Sequence, residues 1–238
     1  MGNKVLIAIQ ARSTSKRFPR KSFAMLGGKT VLQHVVDACN NSAVYTNKYS
    51  SKYGIFCETA VLCPVGDEIV EAFKGKVLIH EGPETDVLTR YVQAAKKFSA
   101  NYIVRVTGDC PLIPPFLISK HITAATMNSH DYVSNIDERF RTTLCGFDCE
   151  VISLRALNWL DANATSDYDR EHVTPLIRKS PPAFASIGHV IGQIDLSDLK
   201  LSVDTHEDLE RVTHHYNKIK EAHETAERLF GPKCVYRF

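Results

Sequence analysis

Short apolar runs alternate along this chain with longer stretches in which apolar residues recur every three or four positions. That alternation predicts an α/β fold, a sheet with helices on its faces. Residues 4–9 read as a buried first strand, and Thr30 as the cap of a helix whose Val31, Leu32, Val35, Val36 and Cys39 share one face. Residues 40–56 lose the period. Asn, Ser, Tyr and Lys dominate there, and the segment is expected to be a loop or irregular excursion. A second strand at 59–63, a short helix at 67–73 and a third strand at 77–80 follow. The helix predicted at 86–98, capped by Thr85, gathers Val87, Leu88, Tyr91, Val92 and Ala95 on one side.

Further on, the pattern predicts a strand at 102–106, a helix at 114–127 opened by a proline pair, and short strands at 132–133, 149–152 and 187–190. Helices are expected near 153–163 and 169–179, and a late strand at 199–203. Thr205-x-x-Asp208 approximates a capping box that starts a C-terminal helix running to about Leu229. With no internal repeat, low-complexity tract or linker, residues 1–238 read as a single domain. The section from about 128 to 190 breaks the strand–helix rhythm and is expected to form a lobe over the sheet edge, for acceptor binding or dimerisation.

The composition, 44% apolar and 24% charged over 238 residues, is that of an ordinary globular protein. The longest unbroken apolar run, Val5-Leu6-Ile7-Ala8-Ile9, is far short of the ~20 residues a membrane helix needs, and it makes no signal peptide. The expectation is a cytoplasmic protein with no membrane partner. Seven cysteines, an odd number with no C-x-x-C, fit a reducing compartment. Cys145 and Cys149 are the one close pair, and no second Cys/His pair at ligand spacing accompanies them.

Net charge is only +2, but its distribution is uneven. Residues 1–36 hold seven basic residues (Lys4, Arg12, Lys16, Arg17, Arg20, Lys21, Lys29) and no acid, where an even spread would place about four acids. Five of the seven lie between Arg12 and Lys21, directly after the first strand. They form either a field for an anion or a solvated basic loop. The patch has no basic stripe beyond it and no aromatic interleaving, which argues against nucleic acid.

Ligands of open α/β sheets bind beyond the carboxyl ends of the strands. Three polar clusters fall there: Gln10 to Lys21, Thr107-Gly108-Asp109-Cys110-Pro111-Leu112, and Asp204-Thr205. A basic loop can hold a polyphosphate, and two carboxylates can hold a hard cation such as Mg²⁺. Together they would bind a nucleoside triphosphate and stabilise charge during phosphoryl or nucleotidyl transfer. Taken singly, Asp109 reads equally well as a turn residue and Asp204 as a helix cap. Two other motifs lead nowhere. Gly27-Gly28-Lys29-Thr30 ends like a P-loop, but Phe23 stands where that motif needs glycine, so a tight turn before a capped helix is expected. Asp167-Tyr168-Asp169 matches the D-x-D of metal-dependent glycosyltransferases, but opens a helical stretch instead of closing a strand.

Ile9-Gln10-Ala11-Arg12 through Lys21 and Leu26-Gly27-Gly28-Lys29 resemble the N-terminal signature of the cytidylyltransferases typified by CMP-KDO synthetase. The spore-coat polysaccharide biosynthesis (SpsF-like) branch is the closer match. Its pattern continues in Asp86-Val87-Leu88-x-Arg90-Tyr91, in Arg105 through Ile113, and in Tyr132-Val133-Ser134-Asn135. Gly146-x-Asp148-x-Glu150, Arg170-Glu171-His172-Val173-Thr174-Pro175 and Val203-Asp204-Thr205-x-Glu207-Asp208 complete the ordered set. The resemblance implies a three-layer, Rossmann-like nucleotidyltransferase fold. It also implies transfer of CMP from CTP to an acidic sugar or phosphorylated acceptor, with release of pyrophosphate, for surface polysaccharide or glycan biosynthesis.

On that pattern Arg12, Arg17 and Lys21 meet the CTP phosphates, and Asp109 and Asp204 hold Mg²⁺. Gln10, Ala11, Ser13, Thr107 and Gly108 complete the nucleotide site. Asn135, Asp148, Glu150, Arg170, Glu171 and His172 are the acceptor candidates, and a homodimer is the implied assembly. The chain departs from the branch at Thr14 and Arg20, where glycines are usual, and at Cys145, where an arginine precedes the glycine. Two rival expectations stand beside this one. One is a nucleotide-sugar glycosyltransferase using Asp167 and Asp169; the other is a nucleotide-binding protein without turnover.

Overall fold

The computed structural model describes residues 2–230, so Cys234 lies outside the described residues. In chain order the first elements are β1 (Asn3–Gln10), the hairpin strands β2 (Met25–Leu26) and β3 (Lys29–Thr30), α1 (Val31–Ser50) and β4 (Ile55–Pro64). Then come α2 (Ile69–Phe73), β5 (Leu78–Gly82), α3 (Val87–Lys97), β6 (Tyr102–Thr107) and α4 (Pro115–Met127). The second half supplies β7 (Tyr132–Ser134), β8 (Glu150–Ser153), α5 (Leu154–Asn163), α6 (Asp167–His172), α7 (Pro175–Lys179), β9 (Ile187–His189) and the long α8 (His206–Phe230). Among the described residues no helix is long and apolar enough to cross a membrane.

Seven strands make one sheet in the order β5-β4-β1-β6-β8-β7-β9. β1 pairs in parallel with β4 and β6, and β4 with β5. β8 runs antiparallel to β6 and β7, and β9 is parallel to β7. The section from 128 to 190 thus contributes three strands to the common sheet. β1 is covered on both faces, which is why its sequence is a continuous apolar run. Val5, Ile7 and Ile9 pack with Leu32 and Val35 of α1 and Ile118 of α4, while Leu6 and Ala8 pack with Leu88 and Tyr91 of α3. A third cluster of Phe18, Leu26, Val31, Leu201, Val203 and Val212 fastens α8 to the hairpin and to the loop after β1.

Most predicted elements are present, with four corrections. Residues 40–56 are largely helical: α1 runs on to Ser50 and β4 begins at Ile55. The helical period is hidden because the buried positions there are Ser42, Ala43 and Thr46. Ser42 and Thr46 hydrogen-bond Ser119 of α4 at 2.8 and 3.3 Å, while Val44, Tyr45 and Tyr49 face solvent. Residues 199–203 form no strand. They touch the segment at Cys145 through a single bridge, and Leu201 and Val203 are buried with Val212 of α8 while Leu199 is exposed. The helix expected at 169–179 is two helices, α6 and α7. Val173 between them takes φ +70°, a left-handed conformation costly for a β-branched residue, and the N–H of Thr174 donates to the His172 carbonyl at 2.8 Å. Finally, α3 is capped by Asp86, not Thr85: the Asp86 carboxylate accepts from the backbone and hydroxyl of Thr89, both at 2.9 Å.

Two local predictions hold in detail. The β2–β3 turn is made by Gly27 and Gly28, with φ of +56° and +91°. A side chain at Gly27 would also collide with the Tyr216 ring on α8. The capping box at the start of α8 is reciprocal: the Asp208 N–H donates to Thr205 Oγ1 at 3.2 Å, and the Thr205 N–H donates to Asp208 Oδ2 at 3.1 Å.

Candidate active site

The register of the central strands brings two of the three polar clusters together. Gln10 at the end of β1 lies level with Thr107 at the end of β6. The Gly108 N–H donates to the Gln10 carbonyl at 2.8 Å, and a Cβ at Gly108 would sit 2.9 Å from that of Ala11, so only glycine fits this approach. The third cluster is drawn in by the backbone: the Val203 N–H donates to the Asp109 carbonyl at 2.8 Å. Segments near residues 10–21, 107–109 and 203–204 therefore share one cleft of about 260 Å³.

After β1 the chain folds over itself. The N–H groups of Ser15 and Arg20 both reach the Ser13 carbonyl at 3.0 Å, the Ser22 hydroxyl donates to the Arg12 carbonyl, and the Ser13 N–H donates to Asp67 at 2.9 Å. Thr14, where the family pattern has glycine, keeps a negative φ and donates its hydroxyl to Glu84 at 2.9 Å. Arg20 does occupy the left-handed region, φ +58°, and pairs with Glu68 at 2.9 Å. The loop closes into a single 3₁₀ turn, Lys21–Phe23, which sends the Lys21 side chain into the cleft.

Lys21 is the hub. Its ammonium donates to Asp109 Oδ2 at 2.7 Å and to Asp204 Oδ1 at 3.0 Å. Arg17 reaches Asp204 Oδ1 at 3.1 Å, and Lys200 reaches Asp204 Oδ2 at 3.2 Å. Burial disfavours the Lys21 ammonium, but Asp109 and Asp204 outweigh it and hold its pKa above that of an ordinary lysine. For Asp204 burial likewise works against the charged form, and Lys21 and Lys200 overcome it, keeping the carboxyl below the usual range. Both carboxylates lie within hydrogen-bond reach of one cation. Among the described residues no three His, Cys, Asp or Glu side chains converge as a ligand set. Two hard-oxygen donors beside a basic loop nonetheless suit Mg²⁺, which takes one or two protein carboxylates and fills the rest of its shell with water and phosphate oxygen.

Of the sequence-predicted residues, Gln10, Ala11, Arg12, Arg17, Lys21, Thr107, Gly108, Asp109, Glu171, His172 and Asp204 all line this cleft. Ser13 does not line it; its backbone holds the loop, with its N–H on Asp67 and its carbonyl accepting from Ser15 and Arg20. The other acceptor candidates are engaged elsewhere. Glu150 is 1% exposed; its carboxylate accepts from Arg105 at 2.7 Å and from the Tyr132 hydroxyl at 2.5 Å. Asn135 uses both ends of its amide to pin Phe147 and Cys149 backbone, at 2.8 and 2.9 Å. Arg170 spreads its guanidinium over Asp86, Thr89, Asp161 and two carbonyls, anchoring α6 to α3. Asp148 is paired with Arg141 at 2.6 Å, and burial, only partly offset by that arginine, raises its pKa. Asp167, exposed, and Asp169, half-buried, both lie outside the cleft. The Asp169 carboxylate accepts from Ser166, the residue that caps α6, so the D-x-D motif is local helix chemistry.

Two residues escaped the sequence reading. Lys200 lay inside a predicted strand. Arg90 sits on the buried face of α3 between Leu88 and Tyr91, and that placement is itself the missed signal, because an arginine on an apolar stripe needs a partner. It is 1% exposed, lines the cleft, and has no hydrogen-bond partner for Nε or Nη1 among the described residues. Burial lowers its pKa. The Gln10 side-chain oxygen, on the same cleft wall, is also buried without a partner.

Comparison with known proteins places this geometry. A family model described as cytidylyltransferase matches residues 6–233. An uncharacterised protein of Methanocaldococcus jannaschii is 34% identical over 76% of this chain and 70% of its own. The spore coat polysaccharide biosynthesis protein SpsF of Bacillus subtilis is 29% identical over 92% of this chain and 89% of its own. The structure of a cytidylyltransferase from Leptospira borgpetersenii superposes with a TM-score of 0.75 at 25% identity, covering 99% of this chain and all of that one. The cleft with Lys21 at its centre thus belongs to a nucleotidyltransferase, and the chain is a member of the cytidylyltransferase family.

Proposed function

We propose that this protein transfers the cytidylyl group of CTP to an oxygen of an acidic sugar or phosphorylated acceptor, forming a CMP-conjugate for surface polysaccharide or glycan biosynthesis. The observation that carries the reading is the meeting of Lys21, Asp109 and Asp204 at one point from three distant parts of the chain. The triphosphate, with roughly four negative charges to offer, competes with the carboxylates for Arg12, Arg17 and Lys21. Those cations then neutralise the pyrophosphate as the bond between the α-phosphorus and its bridging oxygen breaks. The acceptor oxygen attacks the α-phosphorus in line, and its proton leaves to solvent. Asp109 and Asp204 would hold Mg²⁺, which supplies charge withdrawal at the α-phosphate and lowers the pKa of the attacking hydroxyl.

The choice of CTP has its own physical support. Cytosine presents a donor at its 4-amino group and acceptors at N3 and O2. Gln10 offers an unpartnered acceptor and Arg90 unpartnered donors on one cleft wall, the complementary set. Uracil reverses the first two of these atoms, and a buried site that hydrogen-bonds one pattern rejects the other because its own groups are then left unpaired. Glu171 and His172 on the facing arm are the acceptor-side groups, with Glu171 3.9 Å from Arg12. Pyrophosphate release, measured with each of the four nucleoside triphosphates against a panel of acidic sugars and phosphorylated polyols, tests the reading. Release with CTP and at least one acceptor is expected. Binding of CTP with no release from any acceptor would instead identify a protein without turnover.

A further inference from the structure

The carboxylate pair in the cleft is already occupied by the protein's own cations. Lys21 lies 2.7 Å from Asp109 and 3.0 Å from Asp204. Arg17 and Lys200 take further positions on Asp204, at 3.1 and 3.2 Å. The Lys21 side chain is 15% exposed, and the 3₁₀ turn fixes its backbone, with its N–H on the Phe18 carbonyl at 3.1 Å. An ammonium held this way fills the space between the two carboxylates. A divalent cation with oxygen ligands at about 2.0–2.1 Å would have to share that space with a like charge. Asp204, moreover, has both oxygens committed.

From this geometry we infer that Lys21 is a resident counter-cation that keeps divalent metal out of the Asp109–Asp204 pair until a polyphosphate claims its ammonium. The inference rests on the metal role given to those aspartates under the proposed function. In the nucleotide-free protein the pair carries no uncompensated negative charge to attract a divalent ion. A triphosphate is a stronger competitor for Arg17 and Lys21 than a single carboxylate, since each cation can meet several phosphate oxygens. Moving the two cations onto the phosphates exposes both carboxylates in the same event. Metal therefore enters with the nucleotide, and metal alone has no site.

The test is Mn²⁺ binding to nucleotide-free protein, followed by electron paramagnetic resonance, for wild type, Lys21→Met, Asp204→Asn and the double variant Lys21→Met/Asp204→Asn. Lys21→Met is expected to bind Mn²⁺ at least tenfold more tightly than wild type, and Asp204→Asn to cancel that gain. Equal affinities in wild type and Lys21→Met, both weakened by Asp204→Asn, would overturn the role of the lysine and leave the metal assignment standing. A gain that survives Asp204→Asn would put the ion elsewhere and overturn both. Should Lys21→Met fail to fold, thermal melting of wild type with millimolar Mg²⁺ and no nucleotide serves instead. An unchanged midpoint is expected, and a rise that Asp204→Asn abolishes would refute the proposal.

Discussion

Two regions carry the motif residues, the cleft between β1 and β6 and the packed segment from β7 to α6, and their polar side chains behave differently. In the cleft between β1 and β6, Arg17, Lys21, Asp109 and Asp204 bond to one another, and Arg12 lies 3.9 Å from Glu171. In the other region Asn135, Glu150 and Arg170 are held by backbone or by neighbouring side chains. A polar residue in a matching motif thus lines an open cleft in one region and fastens the structure in the other. What separates them is whether the fold supplies a partner. Gln10 and Arg90 are polar groups left without one at the cleft.

That contrast can be broken by mutation. Asp204→Asn should lower turnover by at least a hundredfold in steady-state pyrophosphate release while leaving the melting midpoint near wild type, because it removes a cleft carboxylate and no core contact. Arg105→Met should do the reverse. It leaves the Glu150 carboxylate buried without its cation, and chemical denaturation should show a loss of about 3–5 kcal/mol. A variant that stayed stable but lost acceptor affinity would return Glu150 to the acceptor site. Arg90→Met should sharpen the account of base reading: discrimination between CTP and UTP, taken as the ratio of kcat/KM, is expected to fall about tenfold, on the order of 1.4 kcal/mol.

The smallest effect concerns pH. Burial alone would raise the Asp208 carboxyl, but Lys200, backbone N–H groups and Arg211 outweigh it and bring its pKa down to about 2. Because the folded value lies below the unfolded one, this group stabilises the protein fully above the unfolded pKa of about 3.9 and loses that contribution as pH falls toward 2. Denaturation midpoints of wild type should drop across this window, and Asp208→Asn should flatten the drop while losing about 1–2 kcal/mol at neutral pH through the helix cap.

The strand–helix alternation, the glycine turn before α1 and the capping box of α8 were legible because each is a local rule with local residues. The second half of α1 was not, since its buried stripe is Ser42, Ala43 and Thr46 satisfied by Ser119, a partner 73 to 77 residues away. That Gln10, Lys21, Asp109 and Asp204 share one cleft was legible for the same reason as the turn: charge excess and strand ends are sequence properties. Arg90 and Lys200 needed the fold, because only packing shows that an arginine on an apolar stripe opens onto a cleft. The acceptor set came from motif resemblance alone. No sequence rule distinguishes an arginine that will hold a substrate from one that, like Arg170, ties two helices together.

One experiment bears most directly on the claim that three distant segments form a single nucleotidyl-transfer site. It is CTP-dependent pyrophosphate release by Asp109→Ala, measured beside wild type with an acceptor that wild type uses. The variant should fold, retain Lys21 and still lose turnover by several orders of magnitude. Release at the wild-type rate would contradict the account, since no carboxylate at the end of β6 would then be needed for the reaction.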